Sequence, residues 1–216
     1  MARLVWDNAG ERLFETGVKN GVLYVQDEDG GYMDGVVWNG LTAVTESPSG
    51  AEETPLYADD IKYVVFYSNE EFGATIEAYT YPEEFEQCDG SADLGAGVKV
   101  GQQARRSFGL VYKTSVGNDI QGQDFGYKIH IIYGAKAAPS EKAYATVNDS
   151  PEAITFSWEV STVPVPVDGF KPTSTVVIDS TKCDPEILEV IEGKLFGNDE
   201  DNAQLLLPNE IQALLK

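Results

Sequence analysis

Histidine, cysteine and cationic side chains are scarce in this 216-residue sequence, and each shortage removes a class of chemistry. The single histidine, His130, stands between Ile129 and Ile131 in an alternating apolar run. No partner for a histidine-based acid, base or triad can be named from the sequence, so a structural role inside a strand is expected. The two cysteines, Cys88 and Cys183, are too few and too far apart for a disulfide framework or a thiolate zinc site, and free thiols are expected. Against 36 Asp and Glu there are only 15 Lys and Arg, a net charge of -21, and the longest basic cluster is the pair Arg105-Arg106. Sequence-specific binding of nucleic acid needs a basic footprint that is missing here. An acidic surface of this kind keeps a protein soluble and repels DNA. No apolar run approaches the roughly 20 residues needed to span a bilayer, so no membrane partner is expected. The opening MARLVWDNAGERLFETG has no apolar signal core, and synthesis in the cytoplasm is expected.

Catalytic and cofactor motifs are also wanting. DEDGGYMDG (Asp27–Gly35) begins like a calcium loop, but the EF-hand pattern requires Gly sixth and Glu twelfth, where Tyr32 and Trp38 stand. A solvated turn is expected instead. Gly95-Ala96-Gly97 is followed by neither Gly-Lys-Ser/Thr nor a helical pattern, so neither a P-loop nor a dinucleotide fingerprint is supported. No motif points to a glycosidase carboxylate pair. The expectation is a protein with no catalytic residue, no metal and no cofactor, and not an enzyme.

What the sequence does have is strand periodicity. Ala74, Ile76 and Ala78 alternate with polar residues, and Phe108, Leu110 and Tyr112 form another alternating set. Tyr127, Ile129, Ile131 and Tyr133 share a face, and so do Ile154, Phe156, Trp158 and Val160. Tyr63–Tyr67 is a compact β-rich run, and a further strand is expected at Thr175–Ile178. Such a series without intervening helices argues for a mainly β fold, an antiparallel sandwich or barrel. The run from Gly117 to Val165 reads as three strands joined by loops. One short helix is expected at Pro82–Cys88, stopped by Gly90. Gly40–Asp60 reads as a long loop, with Ser47–Thr54 its most polar part. Beyond Ser180 the period becomes helical. Asp184 can cap a helix carrying Ile187, Leu188, Ile191 and Leu195 and ended by Gly197, and Pro208 can begin another. The organisation expected is a β-domain over residues 1–180 and a C-terminal helical arm over residues 181–216. Two helices this short need a surface to cover, on this subunit or a neighbour.

Several stretches resemble the major tail proteins, the tail-tube subunits of long-tailed, siphovirus-type bacteriophages. They are Phe14–Tyr24 (FETGVKNGVLY), Gly50–Tyr63 (GAEETPLYADDIKY), Phe72–Ser91 (FGATIEAYTYPEEFEQCDGS), Val98–Thr114 (VKVGQQARRSFGLVYKT), Gly117–Gly134 (GNDIQGQDFGYKIHIIYG) and Ser150–Thr162 (SPEAITFSWEVST). The resemblance implies a β-sandwich or barrel of the tail-tube type with a flanking helix. It implies subunits that form hexameric rings, rings that stack into a tube, and a virion location in the tail. Implied partners are other copies of the chain, the tape measure, tail terminator and tail-tip proteins, and DNA passing transiently through the channel. Glu77 and Glu159, on the polar faces of alternating strands, are the candidates for lining the lumen; the alternative is that this face is the outer surface or packs on the helix. By the same resemblance, Ser47, Pro48, Ser49, Gly50, Glu52 and Glu53 belong to a loop reaching the next ring. The competing expectation is a β-sandwich binding module for a receptor or carbohydrate, using the aromatics Tyr24, Tyr32, Trp38 or Tyr57, or a related virion connector or baseplate component.

Overall fold

The computed structural model describes residues 3–147, 149, 153–199 and 201–216. The fold is mainly β and antiparallel. In chain order the strands are β1 (Leu13–Val25), β2 (Val36–Trp38), β3 (Leu41–Glu46), β4 (Ser49–Gly50), β5 (Glu53–Ala58), β6 (Ile61–Tyr67), β7 (Glu70–Glu71) and β8 (Gly73–Ala78). A 3-10 turn at Glu83–Phe85 runs into the single-turn helix α1 (Glu86–Asp89). Then come β9 (Ala92–Gly95), β10 (Val98–Val100), β11 (Phe108–Asn118), β12 (Gly122–Ala137), β13 (Phe156–Thr162) and β14 (Thr175–Asp179), followed by α2 (Pro185–Phe196) and α3 (Pro208–Leu214).

Eight strands form one sheet in the order β2-β1-β11-β12-β13-β8-β3, with β14 paired to β12 as a branch. The branch exists because β12 changes partner along its length. Lys128–Ile132 pairs with β14, whereas Ala135–Ala137 pairs with β13. The change falls at Gly134, whose φ of +57° lies in the left-handed region. A Cβ there would stand 2.3 Å from the Val163 carbonyl oxygen, so only glycine fits. Beyond this corner β13, β8 and β3 lie across from β1 and β11, and the sheet encloses a first core.

That core is aromatic. Trp38, Phe85, Phe108 and Trp158 are buried together, with Phe85 5.0 Å from Trp158 and 4.6 Å from Trp38 between ring centroids. The indole N–H of Trp38 donates to the Thr80 carbonyl at 2.9 Å, and that of Trp158 donates to Asp89 Oδ1 at 3.1 Å. Each ring therefore buries its apolar body with its one donor satisfied. Phe85 and Cys88 bring the short helix onto this core, and Gly90 (φ +80°) ends it, as the sequence indicates. Pro82 stands just before the 3-10 turn rather than in the first helical position.

The opposite face of β1, β11 and β12 forms a second core with α2 and α3. Val22, Tyr24, Val111, Ile129, Ile131 and Tyr133 meet Leu188, Ile191, Leu195 and Ile211 there. The Asp184 side chain accepts from the Glu186 amide at 2.9 Å and caps α2, with Pro185 first in the helix and Gly197 closing it. The Tyr133 hydroxyl donates to the Leu206 carbonyl at 2.8 Å, and that of Tyr24 donates to the Leu195 carbonyl. The C-terminal helices thus cover their own subunit's sheet.

Three local expectations are corrected. The Gly117–Val165 run holds two strands, β12 and β13, after the last residues of β11, and residues 138–147 and 153–155 carry no strand. Ile154 stands outside β13 and exposed, because the ladder with β8 starts at the Phe156–Ala78 pair. Gly40–Asp60 is not a loop but mostly strand, since backbone pairing continues outward from the β3–β8 ladder.

Candidate functional site

The most conspicuous surface feature grows from that continued pairing. Beyond β3 and β8 the chain crosses a neck in which Ser49 pairs with Glu71 and Gly50 with Glu70. It then runs out as the β5–β6 hairpin, with Thr54 opposite Phe66, Leu56 opposite Val64 and Ala58 opposite Ile61. Gly50 has φ +83°, and a Cβ on it would lie 2.2 Å from the Asn69 carbonyl oxygen, so the neck itself requires glycine. At the tip Asp59 and Asp60 both take positive φ, 51° and 59°. Two such residues make the tight turn that suits strand twist, and aspartate tolerates that backbone better than most residues.

This arm is apolar on both faces. Tyr63, Tyr67 and Ile61 point to one side and Val64, Phe66 and Leu56 to the other, all exposed. Neither alternation nor a buried face marks the pattern, so the sequence alone predicts a loop over the first half and an unattached β-rich run over the second. The usable signal was PLYADDIKYVVFY, two β-prone runs about a two-residue acidic turn. The expected ring-contact residues lie at the base of this feature: Ser47 and Pro48 link β3 to β4, Ser49 and Gly50 form β4, Glu52 precedes β5, and Glu53 opens it. The hairpin itself runs from Glu53 to Tyr67.

Glu77 and Glu159 come together. In the β8–β13 ladder Glu77 pairs with Ser157 and Glu159 with Thr75, on the face opposite the buried Ile76 and Trp158. With Ala43 and Thr45 of β3 they make an outward patch of small residues and two carboxylates.

His130 lies where the first core opens. Its Nε2 is 3.0 Å from Thr114 Oγ1 and 3.2 Å from Glu15 Oε1, and its ring stacks on Tyr112 at 4.8 Å. Nδ1 is 3.7 Å from Glu46 Oε1. The Tyr112 hydroxyl donates to that same Glu46 oxygen at 3.0 Å. Burial alone would raise the Glu15 carboxyl, but hydrogen bonds from Lys128 and Thr114 outweigh it and hold the group below its ordinary range. The bond to Glu15 raises the Lys128 ammonium in turn, and burial beside Glu46 raises the Tyr112 phenol. This network ties β1, β3, β11 and β12 together directly below the neck.

The aromatics of the binding-module alternative are mostly spent on structure. Tyr24 and Trp38 are buried in the two cores, Tyr32 is half-buried and its hydroxyl accepts from the Gly134 amide at 2.9 Å, and Tyr57 alone is exposed. A cleft of about 450 Å³ lies beside Tyr32, Asp34, Val165 and Glu210. Its two carboxylates are already engaged: Asp34 accepts from the Asn202 amide group at 2.8 Å, and Glu210 accepts from the Leu207 amide at 2.7 Å.

Asp27–Gly35 is a turn, with Asp27 Oδ1 accepting from the amides of Asp29 and Gly31 at 3.0 and 2.8 Å. Among the described residues no group of three or more His, Cys, Asp or Glu could hold a metal ion. Among them, too, no helix is long and apolar enough to cross a membrane. The chain matches no protein-family model and no curated protein.

Proposed function

We propose that this chain is a structural subunit of a phage tail tube, assembling through copies of itself into stacked hexameric rings around a channel for DNA. The observation that carries the proposal is the β5–β6 arm, a two-stranded hairpin with large apolar side chains exposed on both faces. A lone hairpin in water is marginal, and an apolar strand edge invites pairing with another chain. Such an arm suits a subunit whose surface is completed by its neighbours. The main sheet also ends on two strands, β2 and β3, whose outer edges can accept strands from other subunits. Ring closure then uses two different surfaces on each copy, and stacking extends the assembly without limit.

The charge fits the same role. A wall carrying Glu77 and Glu159 within a chain of net charge -21 repels the phosphate backbone, so DNA passes without being held. The tape measure, tail terminator and tail-tip proteins are the partners this role requires, and the tail of the virion is its location.

Negative-stain electron microscopy of the purified protein over a concentration series tests the proposal. Hollow tubes or six-fold rings are the expected result. Compact monomers at every concentration, with an initiating tail-tip complex added as well, would refute it and favour an attachment module instead.

A further inference from the structure

A second unpartnered surface exists on the same chain. Residues Arg3, Leu4, Val5 and Trp6 are exposed, and the three apolar side chains among them are 66 to 75% accessible. The segment forms no helix or strand, and among the described residues its backbone makes no hydrogen bond. It is nonetheless aimed by its anchor. The Arg12 guanidinium donates to the Asp7 carbonyl at 3.1 Å, the Gly10 amide donates to Asp119 Oδ1 at 3.0 Å, and Leu13 pairs with Asn118. These contacts fix residues 7–13 against the β11–β12 turn and let residues 3–6 extend from that end of the sheet.

We infer that Arg3–Trp6 of one copy adds as a third strand to the free edge of β6 in the arm of another copy. It rests on the reading of the arm as a self-assembly device and names what that arm receives. The edge of β6 is preferred because Ile61–Tyr67 has every backbone N–H, whereas β5 contains Pro55. In an added strand Leu4 and Trp6 face one side and Arg3 and Val5 the other, and the arm offers apolar side chains on both. Charge agrees as well. Residues 3–12 carry Arg3 and Arg12 against Asp7 and Glu11, a neutral stretch in a strongly acidic chain, while the arm tip presents Asp59 and Asp60 and its Lys62 is ion-paired with Glu53. In the added strand Arg3 brings a positive charge to this acidic tip. Because the two patches differ and sit on one chain, the contact is head-to-tail and propagates from copy to copy.

The test places the photo-crosslinking residue p-benzoylphenylalanine at Tyr63, an exposed position, in full-length protein mixed from light and nitrogen-15-labelled chains. After irradiation, mass spectrometry is expected to find isotopically mixed crosslinks to Arg3–Trp6. V5P, which removes an N–H that makes no backbone hydrogen bond among the described residues, is expected to keep the wild-type melting temperature and to cut that crosslink about tenfold or more. Mixed crosslinks elsewhere, in a sample that forms tubes, would overturn the docking while leaving the tail-tube reading. Mixed crosslinks to Arg3–Trp6 without rings or tubes would uphold the docking and defeat that reading. No mixed crosslink at any concentration overturns the docking outright.

Discussion

Replacing Ile191 with alanine tests whether the C-terminal helices are part of the fold or an appendage to it. Ile191 is fully buried at the centre of the second core, between α2 and the sheet face carrying Ile129 and Ile131. The substitution removes three carbons, worth about 2.4 kcal/mol at ~0.8 kcal/mol each. A cavity term adds to that, and the better helix propensity of alanine returns ~0.4 kcal/mol. A net loss of about 3 kcal/mol follows, inside the range of ~2–5 kcal/mol for such truncations. With a urea slope of about 2 kcal/mol/M, the unfolding midpoint falls by about 1.5 M. The informative probe is tryptophan fluorescence, because Trp38 and Trp158 lie in the first core, on the other side of the sheet from the mutation. Trp6, 75% exposed, is changed to phenylalanine in both proteins to remove its background. If the two cores unfold as one cooperative unit, the tryptophan signal shifts by the full amount. A tryptophan midpoint that stays in place while helical circular dichroism is lost at lower urea would refute the reasoning and make residues 181–216 an independent arm.

Three further outcomes follow from the interior. Gly134→Ala is expected to cost about 2–4 kcal/mol, from the left-handed backbone and the close Val163 carbonyl together, measured as a lowered urea midpoint; a change under about 0.5 kcal/mol would show that the β12 corner is not held as described. Burial pushes the Cys88 thiol from its ordinary 9.0 up to about 12, so in native protein at pH 8 a thiol reagent should modify the half-buried Cys183 and spare Cys88 until urea unfolds the chain. The same shift has a sign for stability: above about pH 9 the unfolded chain loses the Cys88 proton while the folded one keeps it, so stability declines as pH rises from about 9 toward 12. The buried phenols of Tyr24 and Tyr133 push the same way, and flat stability across that window would refute the burial of these groups.

Much of this molecule was legible in residue order alone. Alternation at Tyr127–Tyr133 and Phe156–Val160 determined strands, because a half-buried sheet demands a period of two. Asp184, Pro185 and Gly197 determined both ends of α2, since capping is a contract among neighbours in sequence. The shortage of histidine, cysteine and cations determined which chemistries had no candidate residues. Tertiary structure decided the rest. Alternation says that a strand has two faces but not what covers each, so burial of Tyr24 against α2 and of Trp38 against Phe85 required the whole fold. The arm is not legible as a hairpin in residue order because neither of its faces is buried within the chain, which leaves no polar–apolar rhythm to read. Glu77 and Glu159 met through a ladder between strands about eighty residues apart in sequence, a register that no local pattern encodes. The helices, amphipathic by sequence, could have covered any apolar surface; the side chains of Tyr24 and Tyr133, reaching the Leu195 and Leu206 carbonyls, decided that it would be their own sheet.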